Sequence, residues 1–302
     1  MTKALFAWSC GKDSAMALHE IRKDPEIEVV ALLTTVTRDY DRVSMHGIRC
    51  ELLEAQAESI GLPVEKVFIT VGASNEDYEA AMREVLEKHK ARGVTAVVFG
   101  DLLLEDLRKY REDKLAQVGM SAIFPLWMRD SAKLARDFIA LGFKAIVSCA
   151  DSEKGTGAFA GREFDEQLLS ELPPDCDPCF ENGECHSFVY AGPIFRHPIP
   201  VKAGEVVLLR RGIPPGFGSW ALRSPAIMGG AEGDRRPFLG RSLLRVADRG
   251  AGGQAVGVAD GDVAVLLHGG SPCSLSSGRG YRASRLPVAS VVRESVPLPY
   301  CR

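Results

Sequence analysis

The chain has 302 residues, a net charge of −3 and 46% apolar residues, enough for one large domain or two ordinary ones with a sizeable core. Nothing in it approaches the roughly 18 uninterrupted apolar residues of a membrane-spanning helix, and the apolar run from Ala4 to Trp8 is too short for a signal peptide. A soluble, cytoplasmic protein is expected, with eight cysteines too scattered to read as a disulfide framework.

In chain order, Leu5–Trp8 reads as a buried strand, followed by the loop Ser9-Cys10-Gly11-Lys12-Asp13-Ser14 and a helix from Ser14 to about Arg22. Val29–Val36 is a second strand. Ile48–Ile60 is an amphipathic helix closed by Gly61 and Pro63. Val67–Thr70 reads as a strand, Glu76–Arg92 as a long helix, Val94–Phe99 as a strand and Leu104–Gln117 as a charged helix. Ile123–Trp127 and Ala145–Cys149 are strands around a helix over Ser131–Leu141. Strands separated by helices of this length imply a doubly wound α/β fold with a mostly parallel sheet. Beyond residue 150, a helix over Glu163–Leu172 and strands at Ser187–Tyr190 and Val206–Leu209 predict a small C-terminal α+β part.

The expected division is a nucleotide-binding domain over 1–125, a substrate-binding subdomain over 126–210 and a low-order Gly/Arg-rich tail over 211–302. Residues 1–210 carry 25 Lys and Arg against 34 Asp and Glu, whereas 211–302 carry 12 Arg, no Lys, 6 Asp and Glu and 16 of the 30 glycines. The acidic body argues against a broad nucleic-acid footprint. The tail, whose one convincing apolar run is Val263–His268, reads either as a disordered RNA-binding segment or as a frame-shifted stretch with no selected function. The second reading is preferred, because losing Lys while keeping Arg and Gly is what a wrong frame of a GC-rich gene gives.

The loop after the first strand carries the clearest chemistry. Gly11 lets backbone approach an anion, the following helix N-terminus and successive amides point partial positive charge at it, and Lys12 adds a full charge. Ser9 and Ser14 add hydroxyls. Asp13 caps the helix or meets phosphate through Mg²⁺. A helix cap with a coincidental lysine is the plainer alternative. The pattern is not the P-loop of kinases and GTPases, since one glycine alone precedes the lysine.

Further candidates lie downstream. His46 and Arg49, before an amphipathic helix, are either near a ligand or a surface cap. Gly100 and Asp101 follow a buried strand, where α/β proteins place ligand-contacting residues. Glu105 and Arg108 either join them or form an exposed ion pair. Glu181, Asn182, Gly183, Glu184 and His186 place carboxylates, an amide and an imidazole within six residues, able to orient ammonium and accept its protons, although Asn182-Gly183 is also a turn signal. Cys176-Asp177-Pro178-Cys179 with Cys185-His186 has ligand types of a zinc site, or of a sulfur-carrying dithiol, or is a set of small semi-buried residues. Trp8 and Trp127 read as core or pocket wall.

Ser9–Ser14 resembles the Ser-Gly-Gly-Lys-Asp-Ser signature of the PP-loop ATP pyrophosphatases. Within them the chain is similar to the diphthine–ammonia ligase family, in particular its short bacterial relatives. The resemblance covers roughly residues 3–210. It is carried by Ser44-Met45-His46-Gly47-Ile48-Arg49, Phe99-Gly100-Asp101 with Leu104-Glu105-Asp106-Leu107-Arg108, Phe124-Pro125-Leu126-Trp127, Ala160-Gly161-Arg162-Glu163-Phe164-Asp165 and, most specifically, Glu181-Asn182-Gly183-Glu184-Cys185-His186-Ser187.

The resemblance implies an adenine nucleotide alpha hydrolase-like sheet. It also implies an ATP-dependent ligase that adenylates a substrate carboxylate, releases pyrophosphate and transfers ammonia, with ATP and Mg²⁺ as cofactors. On that basis Lys12, Glu184 and His186 are catalytic. Ser9 to Ser14 with Gly100 and Asp101 bind ATP and its phosphates, and Asp13 holds Mg²⁺. His46, Arg49, Glu105, Arg108 and Glu181 to Gly183 contact the carboxylate substrate. A tRNA-modifying sulfur transferase and a non-catalytic ATP sensor are the alternatives. The chain departs from the pattern at Cys10 and Phe180, where glycine is usual, and at Cys185, Ser187 and Ala191. Cys10 is expected at negative φ.

Overall fold

The computed structural model describes residues 1–202 and three short strands beyond them, over 206–208, 220–223 and 226–227. The Val263–His268 run and most of the tail reading lie outside the described residues.

The first half is built on a parallel sheet. Strands β1 (Thr2–Ala7), β2 (Ile27–Thr37), β4 (Val64–Ile69), β5 (Val94–Val98) and β6 (Ser121–Ile123) alternate with helices α1 (Lys12–Ile21), α2 (Cys50–Ile60), α3 (Asn75–Lys90) and α4 (Glu105–Gln117). A two-residue strand, β3 (Arg42–Val43), pairs antiparallel with the end of β2. The parallel order is β4-β2-β1-β5-β6. The chain thus winds outward from β1 through β2 to β4, then crosses back to β5 on the other side of β1. That reversal places a switch point between β1 and β5, the crevice where open α/β sheets bind ligands.

Both faces of the sheet are covered, as alternate strand residues require. One core joins Phe6, Leu32 and Val98 to α1, α2 and the second half of the chain. The other joins Leu5, Leu33 and Val97 to Leu86 of α3 and Leu115 of α4. α3 begins with a capping box, the Ser74 hydroxyl accepting from Asp77 N while the Asp77 carboxylate accepts from Ser74 N.

The second half is not a continuation of the parallel sheet. Helix α5 (Ser131–Ala140) leads into β7 (Lys144–Asp151), α6 (Glu166–Glu171) and β8 (Cys185–Ala191). β7 and β8 pair antiparallel, with Ile146 opposite Phe188 and Cys149 opposite His186. Thus the run Ala145–Cys149, expected in the parallel sheet, instead opens a separate antiparallel one. An apolar run of this length is compatible with either environment. Beyond β9 (Val201–Lys202) and β10 (Val206–Leu208), strand β11 (Trp220–Arg223) pairs with both β10 and β7. β12 (Ala226–Ile227) pairs with β9. The sequence reading placed no strand at 220–227.

Two further differences are local. Ile123–Trp127 was expected to be a strand, but β6 stops at Ile123 and Pro125 to Trp127 turn away, as a proline without an N–H dictates. Cys10, expected at negative φ, sits at φ 67°.

Candidate functional site

The site begins where β1 ends. α1 starts at Lys12 behind Gly11, with no side-chain cap, so the amides of Asp13 and Ser14 have no intrahelical acceptor. The two serines brace the loop: Ser9 Oγ lies 2.7 Å from Ser14 Oγ and accepts from Gly11 N at 3.3 Å. Gly100, after β5, closes over this turn. A Cβ there would meet Asp13 C and Ser14 N at 3.0 Å, which is backbone and cannot swing aside. We expect Gly100→Ala to cost about 2 kcal/mol by chemical denaturation; an unchanged midpoint would mean the strand end relaxes freely.

The C-terminal half grips the same loop. Lys12 N donates to Ser187 Oγ at 3.1 Å, and Val189 N donates to Cys10 O at 3.0 Å. Gln56, fully buried on α2, accepts from Trp8 Nε1 at 2.8 Å and donates to Cys10 O at 3.1 Å and Val189 O at 2.6 Å. These bonds hold Cys10 in the left-handed region against a strain of about 1 kcal/mol. Phe180, the other position where the resembling family has glycine, also sits at positive φ, 62°. Both usual glycines are therefore explained by backbone conformation. Gln56 was missed by sequence reading, because a buried glutamine inside an amphipathic helix has no local signature.

Lys12 is 4% exposed. Its Nζ donates to Asp13 Oδ1 and Oδ2 at 3.0 and 2.8 Å, and to the Cys179 carbonyl. It also lies 5.2 Å from the centre of the Phe180 ring. Burial alone would lower its pKa, but the facing Asp13 carboxylate, then Cys179 and Glu181, outweigh that and raise it, so Lys12 is charged at neutral pH. Around it carboxylates crowd. Burial, reinforced by Asp13, pushes Glu181 up to about 8. Asp101 is likewise raised by burial and by Asp13, although Arg111 opposes the shift. The Arg111 Nη1–Asp101 Oδ2 distance is 3.1 Å, an ion pair without an aligned hydrogen bond.

On another side of Lys12 stand two imidazoles, His46 and His186, with ring centres 4.5 Å apart. Burial, then Lys12, lowers His46 to about 4; burial, His46 and Lys12 lower His186 well below the ordinary value. Both are neutral at physiological pH. A folded pKa below the unfolded value of 6.5 means that stability is full above pH 6.5 and is lost as pH falls toward 4. His46→Asn should therefore remove about 2 kcal/mol of the acid-induced loss between about pH 7 and about pH 5. Denaturant titrations at the two pH values check this, and an unchanged difference between them would refute it.

The remaining expected residues divide. Glu184 is 3% exposed, and its carboxylate accepts from Asp177 N at 3.0 Å, Asn182 N at 3.0 Å and Asn182 Nδ2 at 3.1 Å. It braces its own loop, and Asn182-Gly183 is a turn with Gly183 at φ 74°. The Arg108 guanidinium lies 5.0 and 4.7 Å from the Phe124 and Trp127 ring centres, and its Nε donates to Glu112 at 2.8 Å. The Glu105–Arg108 pair is therefore replaced by an Arg108–Glu112 pair one turn on. Glu105 is exposed at the start of α4. Arg49 is the residue preceding α2, with Nη1 3.5 Å from Glu51.

Among the described residues no group of three or more His, Cys, Asp or Glu is arranged to hold a metal ion. Burial, the largest cause in each case, pushes the Cys176 and Cys185 thiols up to about 12 and raises Cys179. All six described cysteines are free. No helix among the described residues is long and apolar enough to cross a membrane.

Comparison with known proteins agrees with this architecture. Residues 2–122 match the model of the diphthamide synthase N-terminal domain, and residues 130–213 match that of its C-terminal domain. The break between them falls in the segment joining β6 to α5. A curated relative, the diphthine–ammonia ligase of Schizosaccharomyces pombe, is 26% identical over 227 residues, which is 68% of this chain and 37% of the relative. The match thus spans little more than a third of that relative's length.

Proposed function

The chain belongs to the diphthamide synthase (diphthine–ammonia ligase) family, and from that premise we propose that it is an ATP-dependent amide-forming ligase. It adenylates a substrate carboxylate, releases pyrophosphate and lets ammonia displace AMP. The observation that carries this reading is the uncapped first turn of α1 with buried Lys12 at the switch point of the sheet.

ATP would lie with its phosphates over the loop Ser9 to Ser14. Negative charge grows on the departing pyrophosphate, and the amides of Asp13 and Ser14 with the Lys12 ammonium are already fixed to meet it. Donors aimed in advance at developing charge lower the barrier without reorganisation at the moment of reaction. Mg²⁺ fits the residues present. Asp13 raises the cost of ionising Asp101, so a cation held by both would relieve that repulsion, and Mg²⁺ characteristically takes one or two carboxylates plus phosphate oxygens. When bound, it would neutralise phosphate charge; Asp13 and Asp101 would hold it.

Glu181 and His186, from the C-terminal half, both lie within electrostatic reach of Lys12 and are the candidate contacts for the carboxylate and the incoming ammonia. A neutral imidazole can take a proton that ammonia sheds on becoming an amide. The sulfur-transfer alternative needs Cys176 and Cys179 as reactive thiolates, and burial raises both thiols above their ordinary value, which disfavours it.

The test is to incubate the full chain with Mg-ATP, ammonium chloride and a diphthine-bearing protein, with small carboxylates offered in parallel. AMP, pyrophosphate and an amide on the acceptor are expected. ADP and orthophosphate would sink the mechanism, whereas nucleotide binding without turnover of any acceptor would favour a sensor.

A further inference from the structure

The Cys176-Asp177-Pro178-Cys179 element was singled out for its cysteines, yet both thiols are buried, which raises them above the ordinary value. What stands out structurally is the aspartate between them. Asp177 Oδ1 accepts from Cys179 N at 2.7 Å and from Glu181 N at 3.3 Å, and Oδ2 accepts from Ser131 Oγ at 2.7 Å. Its own amide is held by Glu184 Oε1 at 3.0 Å. The residue it clamps, Cys179, points its carbonyl at Lys12 Nζ, while Cys179 Sγ contacts Ser131 O at 3.2 Å.

We propose that Asp177 is a positioning residue for Lys12: by pinning the turn from Asp177 to Glu181 against the start of α5, it fixes the carbonyl that aims the Lys12 ammonium. The chain of bonds runs from Ser131 through the Asp177 carboxylate to Cys179 and on to Lys12. A lysine side chain has four rotatable bonds and little directional preference of its own. Asp13 is its sequence neighbour and moves with it. The Cys179 carbonyl is the fixed point supplied from outside the loop. The Cys-x-x-Cys spacing is then incidental, and the aspartate is what the element contributes.

The inference rests on Lys12 contacting nucleotide, so its test has one arm that needs none. In the full-length protein, the ¹⁵N–¹H signal of the Lys12 ammonium should shift and broaden in Asp177→Ala. It should stay in place in Asp177→Asn, whose amide oxygen still accepts from Cys179 N, and in Cys176→Ser. An unmoved Lys12 signal in Asp177→Ala would overturn the proposal whatever the protein binds.

In the second arm, Mg²⁺ with α,β-methylene-ATP is titrated calorimetrically. Asp177→Ala should weaken binding about tenfold and Asp177→Asn less than about threefold, as for loss of a group supporting a ligand-contacting residue. In a Lys12→Ala background, Asp177→Ala should have no further effect, because its influence passes through Lys12. Additive losses would show general damage and overturn the assignment. If wild type fails to bind the analogue, the nucleotide reading falls, and the ammonium signal still decides the positioning claim. Should Asp177→Ala not fold, Ser131→Ala, which removes one outer bond of the chain, must move the Lys12 signal in the same direction.

Discussion

Lys12→Ala should lower pyrophosphate release from Mg-ATP by about a thousandfold or more while the protein stays folded. Lys12 is a buried cation in the first turn of α1, and its partners are the Asp13 carboxylate and a backbone carbonyl. Without it, the charge on the departing pyrophosphate loses the fixed side-chain cation of the loop and is left to amide dipoles and the metal, inside a cluster where Glu181 is already pushed up to about 8 by burial and neighbouring carboxylates. Lys12→Arg should not rescue the loss: the planar guanidinium is too large for a site closed by Phe180, and it replaces a point charge by a fork. The measurement is a time course of pyrophosphate and AMP, with circular dichroism confirming the fold. Retention of more than about a tenth of wild-type rate would remove Lys12 from the chemistry.

That lysine was legible in the sequence because its surroundings are local. A buried strand, a short Ser/Gly loop and an immediate helix are contiguous in the chain, and the structure keeps them in that order from β1 into α1. Asp101 and Gly100 were legible for the same reason, each following a buried strand directly. The conformation of Cys10 was not. A left-handed φ there depends on Gln56 and Val189, which are 46 and 179 positions away, and neither residue type advertises the bond.

The second half was harder to read because its sheet is assembled from distant strands. β7 reads as one more apolar strand of an alternating series. Only its antiparallel pairing with β8 and with β11, far along the chain, removes it from the parallel sheet. The segment from Glu181 to His186 was recognised as polar and special, but spacing cannot say whether a carboxylate faces a ligand or its own loop. Glu181 and His186 both feel the charge of Lys12. Glu184 turns inward. Asp177 drew no notice, since its neighbours were cysteines and its carboxylate is taken up by two backbone amides and the Ser131 hydroxyl.

Glu184 is therefore the place where a catalytic and a bracing role give opposite results. If its carboxylate exchanged protons with substrate, Glu184→Gln would lose about two to four orders of magnitude in rate at little cost in stability. The geometry supports the reverse. Three donors converge on a side chain that is 3% exposed, and its backbone oxygen separately accepts from Asp151 N and Thr156 Oγ1, each at 2.8 Å. Truncating the side chain leaves the half-buried Asp177 amide without its acceptor and frees the turn that carries Glu181. Glu184→Ala should lose about 3 kcal/mol in chemical denaturation, the scale for stranding buried donors that had a charged partner. Glu184→Gln keeps one acceptor oxygen but turns an amide group toward a donor. It should lose about half as much stability and remain within about tenfold of wild-type rate. A stable but inactive glutamine variant would return Glu184 to the chemistry. A destabilised but active one places it beside Asp177, as part of the frame that holds Lys12 and Glu181 in position.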